Sequence, residues 1–292
     1  MQALATATEI DYDAAPAAES RGQIEYHEHG DGPVLVLVPG SFSTGAAWRS
    51  VVRALHRPWR VVTTSLLGYG DTAERRDASA PRMEDEIAVL ETVIRRAGRG
   101  RPVHVVGHSF GAQAALATAV RGRVPLASLC LIEPPCPALL RIPGDHAHLE
   151  AFRTMTDRYG SAWRAGEREA ARNVIDFYGG AGTFDAFPAG VRDFVVRTTP
   201  ANLLDWRIAY ADVTSTRAYA AATVPTLVLR GEHAHPAVRR TNELVARALP
   251  NADLVYVAAA GHFMIATHPA NVAALVEAHA GAAADAARLY RW

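Results

Sequence analysis

Residues 102–120 read P-V-H-V-V-G-H-S-F-G-A-Q-A-A-L-A-T-A-V, and their interpretation decides the fold. Residues 102–106 form a β-branched apolar run of the kind that makes a buried strand. The run breaks at Gly107, and residues 112–120 read as a helix. Between them lies Gly107-His108-Ser109-Phe110-Gly111, a G-x-S-x-G pattern. A serine on a tight strand-to-helix turn needs small neighbours two positions away on each side, because strand and helix crowd together there. The helix start also turns backbone N–H groups toward any negative charge that develops beside the serine. The pattern alone is a weak signal in a chain rich in Ala and Gly. Its placement between strand and helix gives it weight.

Outward from this turn, the pattern repeats. Residues 24–29 alternate apolar and polar side chains, as a half-exposed edge strand does, and residues 30–32 make a turn. Residues 33–38, 60–64 and 126–132 are further core strands, and residues 83–97 predict a helix that stops at Gly98. Near the end, strands at 224–229 and 252–257 alternate with helices at 237–249 and 269–280. Such alternation predicts an α/β fold: a mostly parallel sheet with helices on both faces. Residues 134–222 interrupt it. They open with Pro134-Pro135-Cys136-Pro137, hold amphipathic patches around Trp163, Tyr178 and Trp206, and contain no core-type strand. They are expected to form an inserted helical cap. The expected organisation is an N-terminal arm over 1–20, a core from 21–133 and 223–292, and the cap over 134–222.

Bulk properties narrow the function. The 292 residues are 49% apolar, enough for a sizeable core. Thirty basic residues balance thirty acidic ones, so neither nucleic acid nor a charged membrane surface is an expected partner. Lysine is absent; coding bias accounts for this, since Arg replaces Lys on exposed faces. Two cysteines, Cys130 and Cys136, do not make a disulfide scaffold. No secretory signal or run of about 20 apolar residues is evident, which leads to the expectation of a cytoplasmic protein. A small-molecule substrate is the expected partner, and a homodimer is compatible with the sequence.

A serine hydroxyl is a poor nucleophile until a base takes its proton. Ala260-Gly261-His262-Phe263 follows the last strand and offers His262 as that base. His108, His233, His235 and His268 compete, and each reads better as a surface or supporting histidine. Two ligands, His233 and His235, make weak evidence for a metal site.

At this point the chain resembles the α/β-hydrolase fold family over nearly its whole length. The resemblance rests on Val38-Pro39-Gly40-Ser41, where Pro replaces the usual His, on Leu67-Gly68-Tyr69-Gly70, on the Ser109 turn and on Gly261-His262. It implies an oxyanion hole made by the backbone N–H of Phe110 and of Ser41, with Phe42 as the alternative. It implies no metal or organic cofactor. The family's acid usually follows its seventh strand in a G-x-x-D pattern; here that pattern reads Gly231-Glu232-His233-Ala234, and alanine cannot orient an imidazole. Some members place the acid after the sixth strand, where this chain has Leu131-Ile132-Glu133-Pro134. Glu133 is therefore the expected acid. Glu232 or Asp253 after a loop rearrangement, or a Ser–His dyad, stay open.

Ser109, His262 and Glu133 together fit acyl transfer to water: hydrolysis of an ester, lactone, thioester or amide. The Ser nucleophile argues against the dehalogenases and epoxide hydrolases of this fold, which use Asp. A cofactor-independent oxygenase, a carbon–carbon bond hydrolase and a non-catalytic ligand-binding relative are the alternatives that the resemblance leaves. The cap would supply most of the substrate pocket, with His108, Trp163, Tyr178 and Trp206 as candidate lining residues. Phe152, Phe177, Phe184 and Phe187 are further aromatic candidates. A small to medium, apolar acyl substrate is expected.

Overall fold

The computed structural model describes residues 23–212, 214 and 216–289. The expected arm at 1–20 lies outside the described residues. Seven strands, β1 (His27–His29), β2 (Val34–Val38), β3 (Arg60–Thr63), β4 (Val103–His108), β5 (Leu126–Ile132), β6 (Thr226–Gly231) and β7 (Ala252–Val257), form one sheet in the order β1-β3-β2-β4-β5-β6-β7. Every pairing is parallel except β1 with β3. β2 reads V-L-V-L-V and is buried on both faces. Val34, Val36 and Val38 enter one core, and Leu35 and Leu37 enter the other. A strand covered on both sides has no polar face to display, so a period of 2 shows as an unbroken apolar run.

The first core lies under α2 (Met83–Gly98), α3 (Phe110–Arg121) and α10 (Pro236–Ala248). The second lies under α1 (Arg49–Arg53), α11 (Met264–Thr267) and α12 (Pro269–Leu289). Arg99, at φ 49°, ends α2 in the left-handed conformation, where its N–H caps the Arg95 carbonyl. α12 runs past the expected stop at residue 280, because the alanine-rich residues after it favour helix.

Between β5 and β6 the chain forms α4 (His146–Arg164), α5 (Arg172–Gly179), α6 (Thr183–Ala186), α7 (Ala189–Arg197), α8 (Thr199–Ala211) and α9 (Thr216–Ala221), with no strand among the described residues. Phe152 and Phe184 are wholly buried and hold these helices together. No described helix is long and apolar enough to cross a membrane.

Candidate active site

β4 ends at His108, and α3 begins at Phe110 without a connecting loop, two residues earlier than the periodicity predicts. Ser109 alone makes the turn, at φ 52° and ψ −128°. A non-glycine residue at positive φ is strained, and the structure must hold it there. The Ser109 N–H donates to the Ile132 carbonyl at 2.8 Å. The flanking glycines are compulsory: a Cβ on Gly107 would lie 2.6 Å from Ala112 Cα, and one on Gly111 would lie 2.1 Å from the Pro39 carbonyl oxygen. Gly40 is equally tight, since its Cβ would meet Ser109 Cβ at 2.8 Å. The early loop therefore rests directly on the serine. Phe110 contributes an N–H of the first helical turn, which has no intrahelical partner. Phe42, at φ 56°, holds the early loop in a left-handed bend beside Ser41.

His262 sits in the loop between β7 and α11, 4% exposed. Its Nε2 lies 3.1 Å from Ser109 Oγ, and its Nδ1 lies 2.7 Å from Glu133 Oε2. With Nδ1–H donating to the carboxylate, Nε2 is left to accept the serine proton. Glu133 follows β5 directly, at φ 48° and with no exposed surface. Its own N–H donates to the Leu229 carbonyl, and its Oε1 accepts the Gly231 N–H at 2.6 Å. One carboxylate oxygen is thus held by the neighbouring strand, and the other faces the imidazole.

The other carboxylates are placed elsewhere. Glu232 Oε2 accepts the Ala259 N–H at 2.8 Å on the exposed side of its loop. Asp253 is exposed on β7. Ala234 is buried and packs in the core.

Two aromatic groups fix the imidazole. Tyr178 of α5 stacks on His262 at 3.9 Å between ring centroids and 24° between planes. His108 Nε2–H donates to the His262 carbonyl at 2.9 Å. Burial, with His262 next to it, pushes the His108 pKa down to about 3, so His108 is neutral near pH 7. His235 is engaged locally as well. Its Nδ1 accepts the Ala237 N–H at the start of α10, and its ring stacks on Phe177 at 4.0 Å.

Two cavities meet at this site. The inner one, about 50 Å³, is lined by Ser109, Phe110 and His262 from the sheet side and by Tyr178, Asn202 and Trp206 from the helices above. The outer one, about 1170 Å³, has largely apolar walls that include Phe177, Phe187, Val191 and Phe194. Of the candidate lining residues, His108, Tyr178 and Trp206 line these cavities. Trp163 does not: it lies in the last turn of α4, 37% exposed, and lines neither cavity. The periodicity marked an aromatic residue on an amphipathic helix but could not say whether that end of the helix reaches the cavity.

The site also contains residues that the sequence patterns did not single out. Asp205 of α8 is 2% exposed; its Oδ2 accepts from Ser41 Oγ and Tyr69 Oη, both at 2.6 Å, and its Oδ1 accepts from Arg76 Nη1. Burial pushes its pKa up, opposed by Arg76 and the two hydroxyls. The available signal was a spacing: Asn202, Asp205, Trp206 and Ala209 recur at i, i+3, i+4 and i+7, a polar-containing stripe on one helix face.

Residues 35–275 match the model of the alpha/beta hydrolase family. The chain belongs to that family. A probable oxidoreductase, EphD of Mycobacterium bovis, is 34% identical over 87 residues, which cover 30% of this chain and 15% of that protein. The chain therefore spans only a small part of the curated relative it matches. An alpha/beta hydrolase from Sphaerobacter thermophilus superposes with a TM-score of 0.61 at 25% identity, covering 87% of this chain and 95% of that one. A thermophilic esterase from Thermogutta terrifontis gives a TM-score of 0.70 at 22% identity, over 89% and 93% of the two chains, a likeness of fold.

Proposed function

We propose that this alpha/beta hydrolase is a serine hydrolase that cleaves an ester-like acyl bond in an apolar, small to medium substrate. The observation that carries this reading is the continuous hydrogen-bonded chain from Ser109 Oγ through His262 to Glu133, at 3.1 and 2.7 Å. His262 Nε2 takes the proton as Ser109 Oγ attacks the acyl carbon. Glu133 holds the tautomer and stabilises the imidazolium that forms. The N–H groups of Phe110 and of Ser41 or Phe42 receive the oxyanion; removing one such donor typically costs about 10²–10³ in rate. His262 then returns the proton to the leaving group, and water, activated by the same imidazole, releases the acyl group from Ser109. The helices between β5 and β6 act as the cap that walls the cavities, and their apolar lining favours an apolar substrate.

The test is labelling with a fluorophosphonate, followed by mass spectrometry of the modified peptide. Labelling at Ser109, lost in Ser109→Ala, is expected. A native-like protein that shows no label on Ser109 would sink the reading. Hydrolysis of model esters is expected to continue in the absence of oxygen, and strict dependence on oxygen would point instead to an oxygenase.

A further inference from the structure

Among the described residues that line the cavities, Asn202 is a buried polar residue whose carboxamide oxygen no internal partner explains. It is 2% exposed, on the face of α8 that lines the inner cavity beside Ser109. Its carboxamide oxygen has no hydrogen-bond partner, and its nitrogen donates to none of the described residues. Two other buried carboxamides, Gln113 and Asn242, also have unpaired oxygens, but each gives its nitrogen to a partner: Asp212 Oδ2 and the Val238 carbonyl. A buried amide left unpaired is costly, so its persistence beside the nucleophile asks for a ligand group that both donates and accepts.

The cavity sets the size of that group. One water needs roughly 10–15 Å³ of such space, so about 50 Å³ admits a group of a few heavy atoms. Its neighbours are already paired. Asp205 is saturated by Ser41, Tyr69 and Arg76, and so leaves Asn202 as the open polar group on that helix face. The two cavities divide the substrate. Ser109 and Phe110, whose N–H receives the oxyanion, line the inner cavity alone, whereas His262, which must protonate the leaving group, lines both, and the residues after it, Ile265 to His268, line the outer one. The bulky apolar leaving group then lies in the outer cavity, and the acyl group lies in the inner one.

The geometry points to Asn202 as a specificity residue that reads a hydroxyl on a short acyl chain, so that the preferred substrates are short hydroxyacyl esters of large apolar alcohols. This rests on the serine hydrolase reading above. In the reaction, Ser109 Oγ forms the new bond to the hydroxyacyl carbon, the bond to the alcohol oxygen breaks, and the alcohol leaves with the proton from His262. Water then restores Ser109 and yields the hydroxy acid.

The experiment compares 3-hydroxybutyryl and butyryl esters of one aromatic alcohol, measuring kcat/KM for the wild type, Asn202→Leu and Asn202→Ser. The wild type is expected to favour the hydroxyacyl ester about tenfold or more, as a site built for a hydroxyl does. Asn202→Leu is expected to abolish or invert the ratio, and Asn202→Ser, which keeps a donor and an acceptor, to retain part of it. A general loss of structure would lower both rates and leave the ratio alone. Equal rates on the two esters in the wild type, or an unchanged ratio in both variants, would overturn the assignment. Fluorophosphonate labelling of wild-type Ser109 separates the two failures: a labelled enzyme that ignores the hydroxyl refutes the role of Asn202 alone, and an unlabelled one refutes the hydrolase reading.

Discussion

At the scale of single residues, the acid is the most exposed claim. Glu133 binds Gly231 N–H with one oxygen and His262 Nδ1 with the other. In Glu133→Gln the amide can keep only one of these contacts in the same sense. An amide nitrogen turned to Nδ1 selects the wrong tautomer, and an amide oxygen turned there leaves a buried NH₂ facing the Gly231 N–H. The expected result is a fall of about 10³–10⁴ in kcat with little change in KM, by analogy with loss of the acid in serine proteases. Steady-state kinetics on a model ester checks it, and full turnover in the variant would remove Glu133 from the mechanism. The identity of this residue was legible in part. Ala234 at the usual position and a glutamate at the end of a core strand were both visible in the chain. The positive φ of Glu133, and the Gly231 N–H that fixes its rotamer, were not, because both arise from a neighbouring strand about a hundred residues away.

At the scale of elements, the strand–turn–helix unit is held by contacts that tolerate no extra atom. Gly111→Ala would drive a methyl into the Pro39 carbonyl, which is backbone and cannot swing aside. Either α3 shifts or the early loop moves off Ser109. A loss of about 3 kcal/mol in stability is expected, with labelling of Ser109 slowed in any protein that still folds. Thermal unfolding and the labelling rate measure the two effects separately. A stable variant with native labelling would show that the elbow is less constrained than its contacts imply. Here sequence and structure agree closely, because the turn itself demands a small residue at Gly107, although the demand at Gly111 comes from the distant Pro39 carbonyl. The helices between β5 and β6 were less readable: amphipathic spacing gave helices, but it did not show that Trp163 lies away from the cavities, and it passed over Asn202 and Asp205. A polar residue on a buried stripe looks, in one dimension, like an interruption of the stripe.

At the scale of the whole molecule, a buried charge cluster joins the helical segment to the sheet. Arg76 donates to Asp205 from α8 and to Glu74, and its Nη1 lies 3.3 Å from Glu86 Oε1 of α2 without making a hydrogen bond. Burial, reinforced by Asp205 and Glu74 and opposed by Arg76 and the Leu67 N–H, pushes the Glu86 pKa up to about 8. The folded state therefore holds a proton that the unfolded chain releases near pH 4.5. Its contribution is complete below that pH and is lost as pH rises through about 8, at up to about 1.4 kcal/mol per pH unit. In a urea titration, Glu86→Gln is expected to flatten this decline between pH 5 and about 8. Parallel curves for the two proteins would refute the buried proton. The acid side follows the opposite rule. Burial holds His104 down to about 4 and His108 to about 3, so the unfolded chain takes up their protons first, and stability falls as pH drops below about 6.5.

The sequence by itself determined the layered sheet, the serine on its turn, the late histidine and the candidate glutamate. Each of these depends on local patterning: apolar runs, glycine sterics and residues at strand ends. Only the tertiary structure decided which carboxylate meets His262, which aromatic rings face the cavities, and that Asn202 stands unpaired beside Ser109. Those outcomes depend on distances between segments far apart in the chain, such as the 2.7 Å between Glu133 and His262 across 129 positions. Side-chain periodicity fixes which face of an element is apolar, but it does not contain the packing that brings two faces together.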